Sequence, residues 1–242
     1  RADAYRIYCR PPRLPAVPLQ TGNGCTRHVW SFIHKLGSPR WCYRITTPWL
    51  PWLGLVSGAL LLTGAVWGLA FAPPDFRQGN SYRIIFIHVP AAFISLAGYY
   101  LMAAAGAVSL IWKIKVSDMV LKSCAGIGAA MTFVALVSGA IWGKPTWGTW
   151  WVWDARITSM LVLFFLYLGV VALHQAFEDR DIAARACAVL ALVGTVNIPI
   201  IYKSVDWWYS LHQPATIKIT GAPTMHPDMW KPLFVMIAGF YC

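Results

Sequence analysis

Five stretches of this chain run without a formal charge for long enough to cross a lipid bilayer. One covers residues 46–74, before Asp75. The others lie between Arg83 and Lys113, Lys122 and Lys144, Arg156 and Glu178, and Arg185 and Lys203. A transmembrane helix needs about 20 apolar residues, and in lipid only helices and closed barrels satisfy their own backbone. The expected fold class is therefore all-α, a polytopic integral membrane helix bundle. Composition agrees: of 242 residues, 58% are hydrophobic and only 12% charged, where a soluble domain carries about 25% charged residues. A soluble enzyme, a disordered chain and a disulfide-rich secreted module are excluded.

The fifth run is the shortest and contains Asn197 and Pro199, which predicts a kink. A sixth apolar run starts after Lys231 and reaches Cys242. About 11 residues give roughly 16 Å of helix, half a hydrocarbon core. The expectation is six transmembrane helices in the full protein, with the sixth truncated here. Residues 1–28 are rich in Pro and Arg, and the first methionine is Met102. They read as a non-native or disordered leader, leaving residues 29–242 as the membrane domain.

Each span switches sides, so the loops after spans one, three and five share a compartment. Lys and Arg set orientation, but their distribution barely decides it. The amino-end side carries 13 against 7, and without the five in residues 1–28 the count is 8 against 7. The net charge of +11 belongs to the flanks of the spans and to anionic lipid, not to a nucleic-acid face. The six cysteines form no C-x-x-C pair, which excludes a zinc knuckle and thioether attachment of haem to this chain.

The three co-facing loops carry the unusual chemistry. The middle one holds Trp147, Gly148, Trp150, Trp151, Trp153, Asp154 and Arg156. An interfacial aromatic belt does not need four tryptophans in seven residues or the glycine among them; a flat shelf for a planar ligand explains both better. His88 lies at the mouth of the second span, and His212 follows Trp207 and Trp208 in the last of the three loops. Two histidines flanking such a shelf suit the axial positions of one haem iron. Arg83 and Arg156 suit its two propionates, because the planar guanidinium forks onto a carboxylate. His226 is a spare ligand candidate, and His174 lies on the opposite side.

The tryptophan block resembles the WWD signature, W-G-x-x-W-x-W-D, of the haem-handling superfamily. The segments 78–92, 143–156 and 197–213 are similar to CcmC, the haem-delivery family of cytochrome c maturation System I, with the similarity running from about His34 to Cys242. The resemblance implies a six-span protein of the bacterial inner membrane, with both termini cytoplasmic and periplasmic loops 73–90, 143–156 and 203–231. It implies that His88 and His212 ligate the iron of non-covalent, transiently held haem b. Trp147, Gly148, Trp151, Trp153 and Asp154 then form the motif that presents haem to the chaperone CcmE. Arg83, Arg156, Trp207 and Trp208 complete the cofactor-contacting set. CcmD and the ATP-hydrolysing CcmA with CcmB are the implied further partners.

The expected function is thus haem binding and delivery for c-type cytochrome biogenesis, with no reaction catalysed by this chain alone. Three other functions fit the pattern less well. A b-type electron-transfer protein places its histidines deeper in the spans. A System II-like cytochrome c synthase has additional spans and intramembrane histidines. A permease needs polar groups along a route, and the spans offer few to line one apart from Thr132, Ser138 and Asn197.

Overall fold

The computed structural model describes residues 37–208, 210–212 and 225–242; residues 1–28 and most of the loop after the fifth span lie outside them. Within them the chain is helical, and no β-strand forms. The first span is continuous from Pro39 to Phe71. It comprises α1 (Pro39–Thr46), a 3-10 turn at Thr47–Trp49, α2 (Leu50–Val66) and a π-helical end at Trp67–Phe71. The 3-10 turn contains Pro48 and ends two residues before Pro51, each of which lacks the amide an α-helix would use.

The second span is α3 (Ile85–Trp112), entered through a 3-10 turn at Ser81–Ile84, and the third is α4 (Lys115–Trp147). The fourth is α5 (Ala155–Ala176), and the fifth divides into α6 (Arg180–Gly194) and α7 (Asn197–Trp207). All five are long and apolar enough to cross a membrane. The predicted kink is therefore a break at Thr195 and Val196. Asn197 steadies it, its side-chain amide donating to the Ser159 carbonyl at 2.9 Å. The run after Lys231 belongs to α8 (Pro227–Tyr241), 15 residues long.

Charges misplace some ends. α4 begins ahead of Lys122 and continues past Lys144 to Trp147, because lysine stems snorkel along an apolar helix instead of ending it. Half of the expected loop 143–156 is consequently helix.

α3 is the hub, packing on α4, α6 and α8, while α5 packs on α4, α6 and α7, and α2 rests on α8. One core cluster joins Tyr99, Met102, Leu121, Leu163, Tyr167 and Val170 from α3, α4 and α5 with Cys187 and Ala191 of α6. Without a hydrophobic drive between helices in lipid, close approach over small residues does this work. A side chain at Gly128 would overlap the Tyr167 ring. A second cluster, with Phe86, Leu233 and Met236, ties α3 to α8 and the end of the first span.

Candidate functional site

The tryptophan loop is held at both ends. At its start the Gly148 amide donates to the Lys144 carbonyl at 3.1 Å. Gly148 itself lies at φ +81°, a left-handed helix stop that glycine adopts without penalty. At its end Asp154 caps α5, accepting the Ile157 amide at 2.8 Å. Only a few residues between them are non-helical, so the indoles are projected from a short, fixed bridge.

This bridge covers one side of a cavity of about 260 Å³. α3 contributes Ile85, His88 and Phe93; α4 contributes Ala135 and Gly139; α5 contributes Arg156 and Met160. Trp147, Trp150 and Trp151 come from the loop region, Ile201 and Tyr202 from α7, Leu233 from α8, and His212 from beyond α7. The cavity thus gathers residues from all three co-facing loops into a largely apolar chamber with two imidazoles and one guanidinium.

His88 stands in the first turn of α3, inside the helix. Its Nδ1 lies 3.0 Å from the Ala135 carbonyl and 3.1 Å from the Ser138 hydroxyl oxygen. The Ser138 hydroxyl donates to Val134 at 2.6 Å, so both neighbours act as acceptors and Nδ1 carries the proton. Gly139 gives the ring room, since a Cβ there would stand 3.0 Å from His88 Cε1.

His212 is held differently. Its Nδ1 lies 3.0 Å from Asp154 Oδ2, and its ring meets Trp147 edge-on at 4.8 Å. The Ser210 hydroxyl donates to the same Asp154 oxygen at 2.6 Å and accepts the His212 amide at 3.2 Å. Facing a carboxylate, Nδ1 again carries the proton. In both rings Nε2 is left as the unprotonated nitrogen, without a hydrogen-bond partner among the described residues. A neutral imidazole fixed through Nδ1–H is the form that ligates a metal through Nε2.

Electrostatics favour this state. Burial opposes the Asp154 carboxylate, but the Ser210 hydroxyl, the Ile157 amide and His212 outweigh it and hold its pKa below the ordinary value. Burial lowers the His212 pKa, and the neighbouring Asp154 offsets only part of this.

The other sequence-derived candidates divide. Trp147, Trp151 and Arg156 line the cavity with both histidines. Asp154 is 8% exposed and reaches the chamber through His212. Gly148 shapes the turn. Trp153 is 74% exposed and meets Trp151 edge-on at 5.4 Å. Trp207 and Trp208 pair with each other at 5.7 Å, outside the lining. Arg83 also lies outside it; its Nη2 donates to the Ala72 carbonyl at 2.9 Å, tying down the loop after the first span. His226 caps α8, with Nδ1 accepting the Asp228 amide at 3.3 Å. Sequence reasoning missed Gly139 and Ser210, and it noted Ser138 only as a polar group within a span. Only Ser210, two residues before a histidine, carried a signal, that of a local side-chain-to-backbone turn.

Comparison with known proteins adds an independent observation. Residues 32–242 match the family model described as CcmC, heme exporter protein C. The chain is 50% identical to heme exporter protein C of Escherichia coli (strain K12) over 212 residues, covering 88% of this chain and 85% of that protein. It is 48% identical over 212 residues to the Haemophilus influenzae protein of the same name, covering 88% and 86%. With that of Bradyrhizobium diazoefficiens it shares 45% identity over 205 residues, covering 85% and 78%. A membrane helix bundle whose resemblance began with its tryptophan loop is matched over nearly all of its described length, and the chain belongs to the heme exporter protein C (CcmC) family.

Proposed function

We propose that this chain binds haem b at the periplasmic face of the bacterial inner membrane and delivers it to the chaperone CcmE for c-type cytochrome biogenesis. The observation that carries the reading is the pairing of His88 and His212 across one apolar cavity, each fixed through Nδ1–H with Nε2 left free. Haem is the cargo. The two imidazoles supply its axial ligands, Trp147 and Trp151 flank the macrocycle, and Arg156 pairs with a propionate. The exposed Trp153, Trp207 and Trp208 form the surface at which CcmE docks, with CcmD and CcmA/CcmB as the remaining partners. Arg83 acts here by tying down the loop between the first two spans.

Delivery, as opposed to permanent retention, is supported by where the ligands sit. His212 follows the end of α7 and is held by side chains instead of by a helix. Such a site can give its ligand away without unfolding a span. No bond-making step is ascribed to the chain.

The test is a visible spectrum of the full-length protein purified in detergent from haem-replete cells, beside His88→Ala and His212→Ala. A Soret band that weakens or shifts in both variants is expected. A wild-type band unaltered by either substitution refutes the ligand assignment, and the absence of any band refutes the haem reading.

A further inference from the structure

The two imidazoles of the cavity are backed by unlike acceptors. His88 Nδ1–H meets a backbone carbonyl and a hydroxyl, both neutral. His212 Nδ1–H meets the Asp154 carboxylate, which is itself fixed by the Ser210 hydroxyl and by the Ile157 amide. A hydrogen bond to an ionised acceptor is roughly twice as strong as one between neutral groups, and it pushes electron density through the ring to the opposite nitrogen. The helix cap fixes where the carboxylate stands, so the tryptophan loop and His212 are one mechanical unit. His88 belongs to the other, the rigid pair of α3 and α4.

Resting on the haem reading above, we infer that Asp154 and Ser210 are positioning residues that make His212 the stronger axial donor, so that His88 is the ligand that yields first when haem is handed on. The iron then remains attached to the loop-borne histidine, beside the exposed tryptophans, while its other coordination position opens. Handover becomes a substitution at the His88 side: an incoming donor binds iron as the His88 Nε2–iron bond breaks, and no electron is gained or lost.

Carbon monoxide is the probe. Added to the ferrous, haem-loaded full-length chain, it displaces the weaker axial ligand, and its stretching frequency reports the donor strength of the ligand left opposite. Asp154→Asn keeps the helix cap through its one remaining oxygen but turns an amide NH2, a donor, toward His212 Nδ1, so it removes both the charge and the acceptor. The C–O stretch is expected to shift in Asp154→Asn, to shift less in Ser210→Ala, and to stay in place in Ser138→Ala. Loss of haem to apomyoglobin is expected to accelerate about 10- to 100-fold in Asp154→Asn. A C–O stretch that responds to Ser138→Ala and not to Asp154→Asn overturns the inference, because His88 would then be the retained ligand. A stretch indifferent to all three overturns it as well. A wild-type chain without a Soret band removes the haem reading itself, a separate failure visible before carbon monoxide is added.

Discussion

The interior of the bundle and its open end are built on opposite rules. In the interior, Tyr99 and Tyr167 meet edge-on at 5.1 Å, with their rings pressed into the space left by Gly194 and Gly128. Their hydroxyls are satisfied as well, Tyr167 donating to Ser95 at 2.7 Å and Tyr99 to Leu190 at 3.4 Å. At the open end space remains, and groups stay unpaired. The Trp151 indole N–H and the Arg83 Nε are buried without a partner among the described residues, and the Nε2 atoms of both histidines are free. An unsatisfied buried polar group costs about 1–3 kcal/mol. Asp118 Oδ1 and His174 Nε2 are likewise buried and unpaired among the described residues at the opposite end, so incomplete pairing belongs to the ends of the bundle and complete pairing to the Tyr99–Tyr167 interior; only at the open end do unpaired groups accompany a cavity.

Four substitutions or conditions probe that division, in order of expected effect. Gly128→Val forces a branched side chain into the Tyr167 ring, an overpacking worth about 3 kcal/mol. The thermal midpoint of the purified protein should fall by roughly 6–12 °C, while any bound-haem spectrum keeps its position. A shifted spectrum would mean that the interior and the cavity are not separable.

Gly139→Ala acts at the other end. Its Cβ reaches 3.0 Å from His88, so the imidazole must move, and haem retention should weaken by about 10-fold with the midpoint altered by less than about 4 °C. A large loss of stability with intact retention would invert the comparison.

Acid should loosen the open end before the interior. His212 is buried and its pKa is lowered, so the folded chain binds fewer protons there than the unfolded chain. The stability linked to it is therefore complete above a pH of about 6.5 and lost as pH falls below that value. Melting the haem-free protein between about pH 7.5 and 5.5 should give a steeper decline for wild type than for His212→Ala. Equal slopes would remove His212 from the account. The smallest effect belongs to Lys203→Gln, which breaks the exposed pair with Asp206 at 3.0 Å. A change within about 0.5 kcal/mol is expected, and a larger one would show that the surface of α7 helps hold the cavity.

Much of this organisation was legible in the sequence, for a physical reason. Uncharged runs report the cost of charge in lipid, so the spans emerged with their order, and Asn197 with Pro199 flagged the break in the fifth. Helix ends were less legible, because the left-handed turn at Gly148 and the side-chain cap of Asp154 set them, not the charge of Lys144. At the site, residue type disclosed His88, His212 and the tryptophans but not their directions. Asp154 reads as an acid closing an aromatic loop, yet it turns inward to a histidine 58 residues away. Arg83 reads as a partner for a propionate, yet its Nη2 is engaged by the Ala72 carbonyl. Which face of a helix meets a cavity depends on neighbours distant in sequence, and no local pattern encodes it.

The break in the fifth span has a mechanical consequence. α7 has 11 residues, a rod of roughly 16 Å that starts after the turn at Thr195 and Val196 and leads within five residues to His212. A tilt of only about 10° at that turn carries the far end through about 3 Å, more than the length of a metal–nitrogen bond. The Asn197 clamp on Ser159 acts at the fulcrum, where leverage is least. A force applied near Trp207 would therefore act with more leverage than that restraint.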